Sequence, residues 1–202
     1  MFCRLLWQQI PKLDIKGFDL APAMVNLARA NCPDAQFAVM DCRDLDQLDG
    51  RFDAIIGAFC FPYLNQDEVI EFIGAAAVKL SAGGLLFIST MEGRYENSQF
   101  KSRGEDEGVL NYLYSESFIS TTLVEQGFEV LDLFRQDYPL DNAEADTDLF
   151  VFARKMAGDL SVQSYCGKAG AVSGEPKACL NSGSRPSIGP DRVYTALERL
   201  ST

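Results

Sequence analysis

Apolar positions along this chain follow two rhythms. At residues 13–20 (LDIKGFDL), 36–40 (QFAVM), 52–61 (FDAIIGAFCF) and 85–90 (LLFIST) they come in short, nearly continuous runs. Such runs suit strands covered on both faces in a parallel sheet. Between them, apolar residues return every three or four positions: Met24, Leu27 and Ala28 in one stretch, Val69, Ile73, Ala77 and Leu80 in another. That is the stripe of an amphipathic helix. Pro22 suits a first helical turn, and Pro33 stops the helix it opens. Asn65 followed by Glu68 has the spacing of a capping box, and Gly83 with Gly84 is read as the end of that helix. The alternation predicts an α/β sheet with helices on both faces, in which residues 36–40, 52–58 and 85–90 are neighbouring parallel strands.

The pattern changes after Thr90. Residues 91–112 (MEGRYENSQFKSRGEDEGVLNY) are polar and glycine-bearing and read as a long loop. Ser115 can cap a helix that runs to Gly127. Residues 128–134 (FEVLDLF) and 147–154 (TDLFVFAR) read as strands joined by a hairpin-like connection, which makes the final pair antiparallel. From Met156 onward the chain carries six glycines, seven serines and three prolines. So little apolar surface cannot offset the ordering of the backbone, so 156–202 is expected to be a poorly ordered tail, with one short helical candidate in PDRVYTALERL. Residues 1–155 are therefore read as one domain, and no internal repeat is visible.

Charge and chemistry narrow the classes. The net charge of −11 comes with no basic stripe, which argues against nucleic acid as a partner. No apolar run approaches the ~20 residues of a membrane span, and MFCRLLWQQIPKLD lacks the long apolar region of a signal peptide; the reading is a cytoplasmic protein without a membrane partner. There is no histidine, and the six cysteines form no C-x-x-C pair. This excludes Cys/His zinc sites and the Ser-His-Asp and Cys-His hydrolases, so no metal site is expected and the cysteines read as free thiols.

Five blocks in this order carry a family resemblance: GFDLAPAMVNLARANCP, FAVMDCRDL, GRFDAIIGAFCFPYL, LSAGGLLFIST and YSESFISTTLVEQGFEVLDL. Together they resemble the class I S-adenosylmethionine-dependent methyltransferases, from the second strand of that Rossmann-like fold to its sixth. The resemblance implies S-adenosylmethionine as cofactor and methyl transfer to a small-molecule acceptor. It places Asp19 at the acid that meets both ribose hydroxyls, and Asp41 at the acid that meets the adenine amino group, with Cys42 beside the ring. Leu20, Met40 and Phe59 become apolar walls, and Ala58 and Phe59 face the methionine end and the acceptor. Tyr63, Arg94, Tyr95 and Tyr112 are candidate acceptor contacts on the same rim. For Asp19 the plainer role is a helix cap; for Asp41, a solvated turn aspartate. Methyl transfer needs alignment more than covalent help, so no catalytic residue is assigned.

The resemblance also has a gap. LLWQQIPKLDIKGFDL aligns in character with the end of the family's first helix and its second strand, and no acid-x-glycine-x-glycine turn precedes it. The reading is therefore an incomplete domain lacking the first strand and glycine turn, weakly active or inactive. Two other classes stay open. One is a non-catalytic interaction subunit with a degenerate cofactor site. The other is a nicotinamide-dependent dehydrogenase, which has no Tyr-x-x-x-Lys pair to support it.

Overall fold

The computed structural model describes residues 13–102, 108–139 and 145–157. All but the first two residues of the tail, and its helical candidate, lie outside the described residues. In chain order the elements are β1 (Lys16–Asp19), α1 (Pro22–Asn31), β2 (Gln36–Val39), β3 (Phe52–Ala58), α2 (Gln66–Lys79), β4 (Leu80–Met91), β5 (Gln99–Ser102), β6 (Gly108–Asn111), α3 (Glu116–Glu125), β7 (Phe128–Pro139) and β8 (Ala145–Lys155). Short 3-10 segments cover Cys42–Gln47, which is kinked at Asp44, Phe61–Tyr63 and Tyr95–Asn97.

Local chemistry sets most of the helix ends. Both bonds of the capping box at α2 form: Glu68 N–H donates to Asn65 Oδ1 at 3.0 Å, and Asn65 N–H donates to Glu68 Oε2 at 2.7 Å. Ser115 Oγ accepts from Phe118 N–H at 3.3 Å and opens α3. Gly127, at φ 83°, turns the chain out of it in a backbone conformation that costs a side-chain-bearing residue more. The end of α2 differs from expectation. The helix stops at Lys79, because Leu80 is fully buried and already pairs with Phe52 as the first residue of β4. Gly83 and Gly84 lie inside that strand. A β carbon on Gly84 would sit 3.0 Å from the Ser81 carbonyl oxygen and 3.1 Å from that of Asp53, so the close approach of two backbones requires glycine there.

The main sheet has the order β3-β4-β8-β7. β3 and β4 are parallel; β8 runs antiparallel to both β4 and β7, as expected for the final pair. The placement of β2 is a correction. It is not a neighbour of β3 but pairs in parallel with β1, in a separate two-stranded sheet. The connection through α1 returns the chain beside β1, as a strand–helix–strand unit does, and Arg29 Nη2 donates to the Phe37 carbonyl at 2.6 Å. Phe18 packs against the main core, and the Lys16 ammonium lies 5.9 Å from the Phe52 ring centroid.

Alternate residues of the main sheet serve two clusters. Leu86, Ile88, Leu149, Val151 and Ala153 face α2 and α3, whose Val69, Phe72, Ile73, Ala76, Ile119 and Leu123 complete the principal core. Phe87, Phe134 and Phe152 form a second cluster on the opposite face, with Ile56 and Phe150. No helix residue belongs to it, so among the described residues the expected helical cover of both faces of this sheet is not found. Ring-on-ring packing takes its place, with Phe134 and Phe150 stacked at 4.8 Å. The stripe on α1 is also corrected: Val25 is the buried residue, while Met24 and Leu27 are more than half exposed.

Residues 91–112 are not one long loop. They hold a 3-10 turn and the β5–β6 hairpin, in which Gln99 pairs with Asn111 and Ser102 with Gly108. Backbone pairing organises this stretch, so its polar side chains concealed it. It is anchored by Tyr112 N–H to the Pro62 carbonyl at 2.8 Å and by Leu113 N–H to Ser98 Oγ at 3.1 Å.

Candidate functional site

The carboxyl ends of β1, β2 and β3 carry the first group of candidate residues. Asp19 is the last residue of β1 and is exposed. Its Oδ1 accepts from Ala21 N–H at 2.8 Å, fixing the turn into α1, and its backbone carbonyl accepts from Met40 N–H at 3.2 Å. Oδ2 has no hydrogen-bond partner among the described residues. Leu20 follows, 64% exposed although apolar.

Asp41 is engaged more fully. It caps the 3-10 turn Cys42–Gln47, with Oδ1 accepting from Arg43 N–H at 3.0 Å. Arg43 Nη1 also donates to Oδ1 at 3.1 Å and to Oδ2 at 2.9 Å. The same guanidinium reaches two other elements: Nε donates to Glu68 Oε1 at 2.7 Å, and Nη2 donates to the Tyr63 carbonyl at 3.0 Å. Arg43 thus ties the turn after β2 to the turn after β3 and to the first turn of α2. Hydrogen bonds from the Arg43 backbone and side chain hold the Asp41 carboxyl below its ordinary range; the Arg43 side chain does the same for Glu68.

Cys42 and Cys60 stand on the two turns that this clasp joins, both half-buried against the principal core. Ala58 and Phe59 end β3. Phe59 has φ 51°, the only non-glycine residue among those described in the left-handed region. Its N–H donates to the Ser89 carbonyl at 3.0 Å and to Ser89 Oγ at 3.1 Å, and these bonds hold a conformation that costs of order 1–3 kcal/mol. The ring is left 41% exposed and meets Phe150 edge-on at 6.2 Å.

The acceptor-side candidates divide. Tyr95 and Tyr112 stack at 5.4 Å, nearly parallel, and Tyr95 also meets Tyr114 at 6.0 Å. Arg94 and Tyr95 line a cavity of about 250 Å³ with Gln66, Tyr114, Ser115 and Phe118. Tyr63 and Tyr112 are not among its lining residues; they stand beside it on the turn after β3 and on the hairpin. Arg94 is almost wholly exposed and lies 3.6 Å from Glu96. Tyr114 is buried, donates its hydroxyl to the Leu64 carbonyl, and has its ionisation pushed far up by burial.

Sequence reading missed Arg43, Cys60, Ser89 and Tyr114. Arg43 is a lone arginine in an acidic turn and carries no signal of its partners, and Cys60 lies within an apolar run. No cluster of three or more potential metal ligands occurs among the described residues, and none of their helices is long and apolar enough to cross a membrane.

Residues 1–84 match the profile of a family described as a methyltransferase domain. The fold is that of the class I S-adenosylmethionine-dependent methyltransferases. An S-adenosylmethionine-dependent methyltransferase from Methanosarcina mazei superposes with a TM-score of 0.61 at 12% identity, over 77% of this chain and 87% of that one. Another from Mesorhizobium loti gives 0.57 at 20% identity, over 76% and 85%. A Burkholderia thailandensis 1,6-didemethyltoxoflavin-N1-methyltransferase, holding its substrate and S-adenosylhomocysteine, gives 0.51 at 21% identity, over 70% and 60%. A search among curated proteins gives no match. The first 84 residues are thus similar to a methyltransferase domain, and the fold is one that S-adenosylmethionine-dependent methyltransferases share.

Proposed function

We propose that this chain holds S-adenosylmethionine along the carboxyl ends of β1, β2 and β3 and passes its methyl group to a small-molecule acceptor in the cytoplasm. The observation that carries the reading is the Asp19 carboxylate, exposed at the end of β1 with Oδ2 open and the uncovered Leu20 beside it. A carboxylate with acceptor capacity left over suits a ribose diol, and a bare apolar side chain suits a purine face. Phe59, exposed and held in place at the end of β3, offers a second apolar wall. Asp41 fits less well, because Arg43 takes up both its oxygens; on this reading it positions Cys42 and meets the adenine with what acceptor capacity remains.

The cofactor, when bound, supplies an electrophilic methyl on a sulfonium that leaves as a neutral thioether. The protein's part is to bring acceptor and methyl into line and to keep water away. Tyr63, Tyr95, Tyr112 and Arg94 form the rim on which an acceptor of modest size would rest, and the 250 Å³ cavity beside them suits such a group. The 1,6-didemethyltoxoflavin enzyme, which carries a small heterocycle in the same fold, supports a small acceptor here.

We propose further that the chain by itself binds weakly and turns over little. The ribose end of the site stands on the β1–β2 pair and the methyl end on β3, and these are separate sheets not joined to each other by strand pairing. The second reading, a non-catalytic interaction subunit, has the same support. Titration calorimetry with S-adenosylhomocysteine separates the two. Binding is expected for the chain, weakened at least tenfold by Asp19→Ala, since two hydrogen bonds to a charged group are worth about 1.5–3 kcal/mol each before water compensates. No heat with the unaltered chain overturns the cofactor reading, and unchanged affinity in the variant makes Asp19 a helix-entry residue only.

A further inference from the structure

Arg43 grips Asp41 with a guanidinium that is itself pinned. Each of its three nitrogens has its own partner: Nη1 donates to Asp41 Oδ1 at 3.1 Å and Oδ2 at 2.9 Å, Nε to Glu68 Oε1 at 2.7 Å, and Nη2 to the Tyr63 carbonyl at 3.0 Å. Those partners are held in turn. Glu68 Oε2 accepts from Asn65 N–H at 2.7 Å in the capping box, and Tyr63 N–H donates to the Cys60 carbonyl at 3.0 Å. A planar fork seated on three elements cannot rotate without breaking bonds to all of them. The carboxylate is fixed from a second side, since the Arg43 backbone N–H donates to Oδ1 at 3.0 Å.

An ionised carboxylate offers about four acceptor positions, two on each oxygen. Arg43 fills both on Oδ1 and one on Oδ2, which leaves a single position on Oδ2 in a direction the fork sets. The Asp41 side chain is 27% exposed, so a ligand can reach it. We propose that Arg43 is a specificity-determining residue for the purine of the cofactor, an inference that rests on reading the carboxyl ends of β1, β2 and β3 as the cofactor site: by pinning Asp41 it leaves one acceptor for a 6-amino group and denies the carboxylate the turn it needs to meet a 6-oxo purine. A 6-amino purine brings an N–H donor to that acceptor. A 6-oxo purine brings an oxygen there and carries its ring N–H one atom away. A free carboxylate can swing to that N–H; a pinned one faces the oxygen with no proton between them. Arg43 acts through Asp41 and does not itself touch the ligand.

The test is the ratio of two affinities, measured by titration calorimetry directly and by displacement, with S-adenosylhomocysteine and its 6-oxo analogue S-inosylhomocysteine as probes. The parent chain should prefer the 6-amino ligand by about tenfold or more, the effect of one hydrogen bond to a charged group. Arg43→Gln should shrink that preference to about threefold or less, chiefly because the 6-oxo ligand gains. Arg43→Lys should do the same, since an ammonium cannot bond three partners in a fixed fork, and it serves where the glutamine variant folds poorly. Asp19→Ala should weaken both ligands alike and leave the ratio unchanged. A merely structural role for Arg43 would lower both affinities in proportion, so a ratio that survives in the Arg43 variants overturns the proposal. Equal binding of the two ligands by the parent also overturns it, while the cofactor reading stands. Absence of binding to either ligand overturns the cofactor reading and this proposal with it.

Discussion

Arg43 shows how much one side chain can organise. It is the common partner of Asp41, Glu68 and the Tyr63 carbonyl, so its removal strips hydrogen bonds from three elements at once. The ion pairs are partly exposed, with Arg43 at 41%, so water screens them and Arg43→Gln should cost only about 0.5–1 kcal/mol at neutral pH. The pH dependence has a definite sign. Asp41 and Glu68 both have folded proton affinities below their ordinary ones. Their contribution is present above the ordinary carboxylate range and is lost as pH falls through the lowered values. Urea midpoints of Arg43→Gln and the parent should therefore differ at pH 7 and converge as pH falls below the ordinary carboxylate range. A gap that persists or widens in acid would show that Arg43 stabilises by packing alone.

At the scale of elements, α2 is held by its ends as much as by its stripe. The capping box satisfies two groups at its amino end, and Lys79 Nζ donates to the Leu48 carbonyl at the other. Asn65→Ala should cost about 1 kcal/mol, because it leaves the Glu68 N–H without its acceptor at the helix start. Chemical denaturation reads this directly, and a change below a few tenths of a kcal/mol would mean that a neighbouring group or water takes over the cap. The same capping logic was legible before any tertiary information, since both residues lie within four positions of each other. The opposite end was not. Leu80 leaves the helix because it pairs with Phe52, twenty-eight residues earlier, and a glycine pair nearby suggested a different stopping point.

Across the whole molecule, stability should be uneven. Leu86, Ile88, Val151 and Ala153 are fully buried in a four-stranded sheet with helices packed on one face. The β1–β2 pair is two strands of four residues, with no residue fully buried. Two-stranded sheets are marginal by themselves. Native-state hydrogen exchange should therefore find the amides of β4 and β8 slowest and those of β1–β2 exchanging by local opening well before global unfolding. Equal protection in both sheets would show that β1–β2 is held by contacts beyond those described. Binding of S-adenosylhomocysteine should slow exchange first at β1–β2, where the proposed ribose contact stands.

What the sequence determined by itself was the order and kind of most elements, the β5–β6 hairpin excepted. Apolar periodicity, proline and glycine placement and the spacing of Asn65 with Glu68 are local properties, and they specify strands, helices and caps without knowledge of partners. The antiparallel final pair was legible for the same reason, because a short connection between two strand-forming runs leaves little choice. Tertiary structure alone decided which strand lies beside β2, why Phe59 is held in a left-handed conformation, and how Arg43 comes to reach Glu68 and the Tyr63 carbonyl. Each depends on contacts between residues twenty to thirty positions apart. A periodicity states that a residue faces a core and is silent about which residue it meets there. Asp19 marks the boundary between the two kinds of knowledge: its place at a strand end was readable, but the accessibility of its second oxygen followed only from the packing around it.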